Sequence, residues 1–245
     1  MKVVCWYSAG VTSTIATYLA IEKYGVENVE IVFFETGSHH PDNDRFIGDC
    51  ENLFGKKVRV MQNEKFSDIY DVFAWKKLMN TPYGAPCTKY LKTRMRQEWE
   101  ADNQFRAQIF GFEDTPHERK RAERFLKEYP YTDAEFPLIE HGLTKEDCIR
   151  MLRDFGIEVP MMYRLGYSNN NCIGCVKGGM GYWNKVRQDF PLIFEKTAEL
   201  EREYNMTIMS NRIYLDELEP NRGYAVKAYV EPCGIFCEME VAEWL

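Results

Sequence analysis

The sequence is poor in several things that would point to particular functions. No apolar run reaches bilayer-spanning length, which argues against a membrane-embedded protein. The N-terminus lacks an export signal, because its first apolar run is only strand-length. A cytoplasmic protein is therefore expected. Basic residues are outnumbered, 31 against 38 acidic, for a net charge of −7, so general affinity for nucleic acid is not indicated. Internal repeats and low-complexity linkers are absent. Neither the Gly-Lys-Ser/Thr ending of a triphosphate loop nor a Gly-x-Gly-x-x-Gly fingerprint occurs. What remains is an ordinary globular mix, 45 % hydrophobic and 28 % charged, over 245 residues. That length suits one large domain, or one domain with a small appendage.

The most informative stretch is the first. Residues 1–7 read as a fully buried strand. A loop of small and hydroxyl residues follows, and a helix is expected from Thr14 to Tyr24. A strand that feeds such a loop and a helix N-terminus makes an anion site, since the first helical N–H groups have no internal partner and the dipole adds positive charge. Ser8, Ala9, Gly10, Thr12 and Ser13 are the candidate phosphate contacts. A strand-to-helix turn with a hydroxyl cap is the plainer reading.

Further along, strands are expected at 29–34, 57–61, 107–112 and 135–139, with helices at 42–53, 67–79, 89–100, 115–128 and 144–155. Strands alternating with helices predict an α/β fold, a Rossmann-like parallel sheet with helices on both faces. Ligands then sit beyond the strand C-terminal ends. The loops at Ser8, Glu35 and Gly111 all follow strand ends and are expected to face one site. Residues 1–165 form the expected nucleotide-binding core. After Gly156 the character changes, and 166–245 reads as a cysteine-containing helical and irregular cap, with helices at 182–187 and 190–204 and strand-like pieces in the tail.

Eight cysteines in a chain without export features point to metal or redox chemistry rather than disulfides. Cys172-x-x-Cys175 sits on a glycine-containing turn, where two thiolates can reach one metal centre. Cys87, after a Pro-rich break, and Cys233 complete the most economical set of four, with Cys237 in reserve. Such a set would hold a 4Fe–4S cluster or zinc. The rival readings are a redox-active dithiol and plain buried thiols. Cys5, Cys50 and Cys148 are assigned no role. His39 and His40 lack a carboxylate or thiol at ligand spacing and read as a polar loop edge. Glu35 is a candidate for a ribose hydroxyl or a metal-bound water. Arg119, in a charged helix start, offers a guanidinium fork for phosphate or sulfate, against a solvated helix face. Lys89 and Lys92 could serve the same anion. Tyr182 and Trp183 read as packing residues.

Taken in order, these segments resemble a known family. The marks are Ser-Ala-Gly-Val-Thr-Ser after the first strand, Glu-Thr-Gly after the second, Pro-Cys-Thr-Lys-Tyr-Leu-Lys, and a Gly with Glu-Arg after the fourth. Pro-Leu-Ile, Tyr-Arg-Leu-Gly-Tyr-Ser and Cys-Ile-Gly-Cys follow. The chain looks like the phosphoadenosine phosphosulfate (PAPS) reductase family of the adenine nucleotide α-hydrolase-like superfamily. It is most similar in style to the stand-alone proteins of bacteria and their viruses. The resemblance covers about residues 1 to 190. It implies an adenine nucleotide as substrate, PAPS, adenosine phosphosulfate (APS) or ATP, over the first loop. Ser8, Gly10, Thr12 and Ser13 would hold phosphate, Thr36 and Gly37 would lie against the adenosine, and Arg119 would approach sulfate. Cys87, Cys172 and Cys175 fall where cluster-bearing relatives keep their iron–sulfur ligands.

Departures are visible as well. Pro86-Cys87 stands where those relatives keep a cysteine pair, and Glu231-Pro232-Cys233-Gly234-Ile235-Phe236-Cys237 is only partly like their nucleophile-bearing C-terminus. Thr12 stands where many ATP-pyrophosphatase relatives carry an acid.

Three functions are expected in turn. The first is a thiol-dependent sulfonucleotide reductase with Cys233 or Cys237 as nucleophile and Arg119 stabilising the departing charge. The second is an ATP-dependent adenylating or sulfur-transfer enzyme. The third is a non-catalytic nucleotide-binding accessory protein. A thiol donor protein and a homo-oligomer are the expected partners.

Overall fold

The computed structural model describes residues 2–81, 84–209, 212–223 and 235. Five strands form one sheet in the order β3-β2-β1-β4-β5. They are β1 (Val3–Tyr7), β2 (Val29–Glu35), β3 (Arg59–Gln62), β4 (Ala107–Ile109) and β5 (Ala134–Glu135). β1 pairs in parallel with β2, Val3 opposite Val29, and with β4, Val3 opposite Ala107; β4 pairs in parallel with β5. The α/β Rossmann-like architecture expected from the alternation is present.

β1 is buried along its whole length. This fits its central place and its unbroken apolar run, since a strand covered on both faces has no polar alternation to show. Its polar side-chain atoms have partners: the Trp6 indole N–H donates to Gln108 Oε1 on β4 at 2.6 Å, and the Tyr7 hydroxyl accepts from Thr14 Oγ1 at 3.4 Å. The Trp6 bond explains a glutamine inside a buried strand.

The chain runs outward from β1 through β2 to β3 and then returns to β4 on the other side of β1. Strand order reverses between β1 and β4. The crevice outside the C-terminal ends of these two strands is where open α/β sheets bind ligands.

The helices are α1 (Val11–Tyr24), α2 (Asp42–Phe54), α3 (Ile69–Lys76), α4 (Pro86–Thr88), α5 (Arg94–Asp102), α6 (Pro116–Glu128), α7 (Pro137–Glu140), α8 (Lys145–Asp154), α9 (Met161–Arg164), α10 (Met180–Asp189) and α11 (Pro191–Tyr204). A single wide π turn, Lys89–Thr93, joins α4 to α5. α1 packs against α2, α7 and α8.

Some boundaries differ from expectation for clear reasons. α1 begins three residues early. Ser13 and Thr14 turn their hydroxyls back onto the Gly10 carbonyl, at 3.0 and 2.9 Å, and so join the first turn. The strand expected at 135–139 stops at Glu135. Pro137 lacks an N–H for the ladder and starts α7 instead. β4 stops at Ile109, short of the expected 112. α3 ends at Lys76, where Lys77 turns left-handed at φ 51°.

The chain forms two compact units. The first comprises Met1–Phe34, Pro41–Met61 and Glu100–Met161, and carries the sheet's centre with α1, α2 and α6 to α8. The second comprises Glu35–His40, Gln62–Trp99 and Met162–Leu245, with α3 to α5, α10 and α11. The C-terminal part therefore shares its unit with two earlier segments, which the division expected near residue 165 does not include. The second unit has its own core, centred on Phe73, Leu91, Tyr182 and Trp183, all almost fully buried. Among the described residues, no helix is long and apolar enough to cross a membrane.

Candidate functional site

In the first unit the loop after β1 is tight. Ala9 adopts a left-handed φ of 55°. Gly10 is the N-cap of α1, and the first intrahelical bond runs from Thr14 N–H to Gly10 C=O at 3.0 Å. The N–H groups of Val11, Thr12 and Ser13 precede it, as an anion site requires. The hydroxyls divide into two roles. Ser13 is buried, and its Oγ accepts from the N–H groups of Ser8 and Gly10, both at 3.2 Å. It braces the loop from inside. Ser8 is exposed and Thr12 half-buried, so these two can offer hydroxyls outward.

Gly111, after β4, closes the other side of the crevice. A Cβ there would lie 2.7 Å from Ser13 Cα and 2.8 Å from Ser13 N. Only a glycine permits this approach of the two loops. In the same unit, the Arg119 guanidinium is ion-paired with Asp114 and half-exposed. This acid partly neutralises the expected sulfate contact.

In the second unit, Thr36, Ile69, Cys87, Thr88, Lys92, Asn171, Cys172, Cys175 and Lys177 are among the residues lining a single cavity. It gathers three of the expected cysteines and one of the two expected lysines. Lys89 is half-buried and does not line it. Lys92 comes from the π turn, the kind of helix defect that recurs at functional sites.

The Cys172–Cys175 turn is fixed by its neighbours. Gly174 takes φ +77° between the cysteines. The buried Tyr182 hydroxyl accepts from the Cys175 N–H at 2.9 Å and donates to the Cys172 carbonyl at 3.2 Å. Ile173 N–H donates to the Ser38 carbonyl at 2.8 Å. Tyr182 is thus the packing residue expected, with a polar task at its tip.

Cys172 stands in an unexpected setting. Thr36 Oγ1 lies 3.0 Å from its Sγ. His39 is no polar loop edge: its side chain is 6 % exposed, and Nδ1 lies 3.2 Å from Glu35 Oε1. Glu35 Oε1 also accepts the Gly37 N–H at 2.6 Å. Burial pushes the Glu35 carboxyl up, but the His39 bond and charge and the Gly37 and Thr36 N–H groups outweigh it and hold it low. Burial pulls His39 down, but the charge and hydrogen bond of Cys172, with Glu35 behind, raise it to about 9. Burial pushes Cys172 up, yet His39, Lys92 and Thr36 bring it below an ordinary thiol. Glu35, the His39 ring and the Cys172 sulfur thus stand in sequence, each shifting its neighbour.

Cys5, Cys148 and Cys50 differ. Burial pushes them up to about 12, about 12 and about 11. They behave as the small buried hydrophobes expected.

A metal centre needs four ligands converging on one point. Among the described residues, no three His, Cys, Asp or Glu side chains are grouped to hold a metal ion. Cys233 and Cys237, the other expected ligand and nucleophile candidates, lie outside the described residues. Ile235, between them, is described: its carbonyl accepts from Thr93 Oγ1 at 3.0 Å, on the π turn.

The sequence signature of the phosphoadenosine phosphosulfate reductase domain matches residues 2–178. The chain belongs to that family. The match ends just past the Cys172–Cys175 turn and includes the loops after β1, β2 and β4. This PAPS reductase family protein is also 24 % identical over 212 residues to an uncharacterised protein, MJ0066, of Methanocaldococcus jannaschii. The alignment covers 81 % of this chain and 41 % of that relative, so the chain spans about two fifths of the length of the protein it matches.

The family resemblance implies that Thr36 and Gly37 lie against the adenosine. Thr36 stands on the Cys172 sulfur, and Gly37 is pressed to the Ser67 carbonyl, where a Cβ would lie at 1.8 Å. His39 was missed because its partners are distant in sequence or of unremarkable spacing. The Glu-x-x-x-His spacing from Glu35 to His39 was the available signal.

Proposed function

We propose that this protein is an enzyme acting on an adenylyl sulfonucleotide, PAPS or APS, with its cysteine thiols carrying out the sulfur chemistry. One observation carries the reading: in a chain of this family, Cys87, Cys172 and Cys175 line one cavity with Lys92 and Lys177. Thiolates attack electrophilic sulfur, and ammonium groups attract the sulfonate that bears it.

The first loop suits the nucleotide phosphates, held by the N–H groups at the start of α1 and by the outward hydroxyls of Ser8 and Thr12. Ser13 serves by keeping that loop in shape. Arg119 is the cation available to a phosphate or sulfate in the first unit. Cys233 and Cys237 remain candidate thiols in the reaction. An external dithiol, small or protein-borne, returns the thiols to the reduced state.

The test is incubation with PAPS or APS and a dithiol, followed by sulfite and nucleotide analysis. Sulfite with stoichiometric nucleotide product is expected. Pyrophosphate release from ATP in its place would move the protein to the adenylating class, and nucleotide binding without turnover would make it an accessory protein. Iron, sulfide and zinc analysis after anaerobic purification belongs beside this assay. Stoichiometric iron and sulfide would restore the cluster reading, with Cys233 or Cys237 completing the donor set.

A further inference from the structure

We propose that the second unit carries a docking surface for single-stranded nucleic acid, with Trp75 as the platform for a base and Lys65, Lys76 and Arg94 as contacts to the flanking phosphates. The inference goes beyond the sulfonucleotide reading and uses none of the cavity's side chains.

Trp75 is the anchor of this patch. Trp6, Trp99 and Trp183 are buried, whereas Trp75, in the last turn of α3, is 47 % exposed. The indole is nonetheless held in place. Its ring centroid lies 5.3 Å from that of Phe66 and 5.0 Å from that of Tyr90, the latter edge-on at 86°. Phe66 and Tyr90 both belong to the core of the second unit. A large aromatic surface is thus fixed by buried rings and left in contact with solvent.

Cations gather on these rings. Lys65 Nζ lies 3.9 Å from the Trp75 centroid and Lys76 Nζ 4.6 Å, and the Arg94 guanidinium lies 4.5 Å from the Tyr90 centroid. All three residues are exposed, and none has a carboxylate partner among the described residues. Exposed cations elsewhere do: Lys57, Lys77, Arg119 and Arg150 pair with Glu51, Glu203, Asp114 and Asp147. Residues 62–99 carry seven Lys and Arg against four Asp and Glu, in a chain of net charge −7. Two of those acids are engaged with backbone: Asp68 accepts the Asp71 N–H, and Asp71 accepts the Ser67 N–H. The patch is a local exception to the acidic balance of the chain.

Charge complementarity selects a polyanion, and the indole among the cations selects one with aromatic faces. A single strand offers both at every nucleotide, a phosphate for an ammonium and a base for the ring. A duplex keeps its bases stacked inside and offers phosphates alone. An acidic peptide would use the cations and leave the indole without a stacked partner. The two lysines have flexible stems, so their ammonium groups can leave the indole for phosphates and free its face for a base.

The experiment is fluorescence anisotropy of labelled twelve-nucleotide oligo-dT and oligo-U and of a duplex of the same length, titrated with the full chain from low to physiological salt. Single strands are expected to bind more tightly than the duplex. The logarithm of their affinity is expected to fall against the logarithm of salt with a slope of about −2, as about three phosphate contacts give. Trp75→Ala is expected to weaken single-strand binding at least about fivefold with the slope kept. Lys76→Glu is expected to weaken it and to make the slope shallower by about 0.7. Arg153→Glu, exposed on α8, is the control and is expected to leave the affinity unchanged. The two homopolymers separate DNA from RNA as the source of the strand.

No binding to either single strand at low salt overturns the proposal. So does duplex binding as tight as single-strand binding, and neither result needs a substitution. Equal binding by a folded Trp75→Ala chain, or displacement of the strand by polyglutamate as readily as by unlabelled oligo-dT, overturns it in favour of an acidic protein partner. Sulfite is no readout here, so failure of the proposal leaves the sulfonucleotide reading intact, and the reverse holds.

Discussion

Residue-scale chemistry in this chain is decided by what stands beside each thiol. Cys5 and Cys148 are buried in apolar surroundings and pushed up to about 12, so they are poor nucleophiles at neutral pH. Cys172 has the His39 ring, the Lys92 ammonium and the Thr36 hydroxyl for neighbours, which bring it below an ordinary thiol. Limited iodoacetamide treatment at neutral pH is expected to label Cys172 well before Cys5, Cys50 and Cys148. Equal labelling of all four would contradict the environment described.

His39 gives a pH dependence with a definite sign. Its folded value, about 9, lies above its ordinary one. The stability contributed by the charged ring is therefore full below about pH 6.5 and is lost as pH rises through about 9. Glu35, held low, contributes above the ordinary carboxylate range and loses that contribution as pH falls. Urea unfolding midpoints for the wild type and His39→Gln are expected to converge toward pH 9 and above. Parallel curves across the alkaline range would show that the ring carries no such charge.

Elements depend on a few close approaches. Gly111→Ala places a methyl 2.7 Å from Ser13 Cα, against backbone that cannot swing aside. Nucleotide affinity is expected to fall at least about tenfold, a change of about 1.4 kcal/mol, and the Tm to drop. Gly48→Ala, inside α2 with open space around it, is the matched control and is expected to stabilise by about 0.5–1 kcal/mol. Calorimetry and titration on the two variants make the comparison. Tyr182→Phe keeps the buried ring and removes both bonds to the cysteine turn. A cost of about 1–3 kcal/mol is expected from the unpaired backbone groups, readable by urea unfolding.

These elements were legible to different degrees. β1, β2 and α2 announced themselves by an unbroken apolar run, by an apolar run interrupted only at Glu30, and by a helical pattern ending at glycine. α1 was placed three residues late because hydroxyl residues favour loops, and here they hydrogen-bond within the first turn. β5 was overdrawn because apolar Pro-Leu-Ile resembles a strand until the proline's missing N–H is considered.

At the scale of the whole molecule, the parallel sheet followed from the alternation of strands and helices and the family from motif order, while Cys172 and Cys175 were paired by spacing and Cys87 was joined to them by the need for more thiols. The partners of Cys172 were not legible. Thr36 and His39 lie more than a hundred residues before it, and no local pattern connects them. The grouping of residues 62–99 with the C-terminal segment was equally hidden, since each helix reads the same whichever core it joins.

The account's central claim concerns chemistry at sulfur in a protein with an adenine-nucleotide fold. Quantifying sulfite from PAPS or APS with excess dithiol, for the native protein against the same protein with its accessible thiols alkylated beforehand and the reagent removed, tests it most directly. Sulfite in stoichiometric step with nucleotide product is expected from the native protein and none from the alkylated one. Undiminished sulfite release by the alkylated protein, or none from the native protein with either nucleotide, would contradict it.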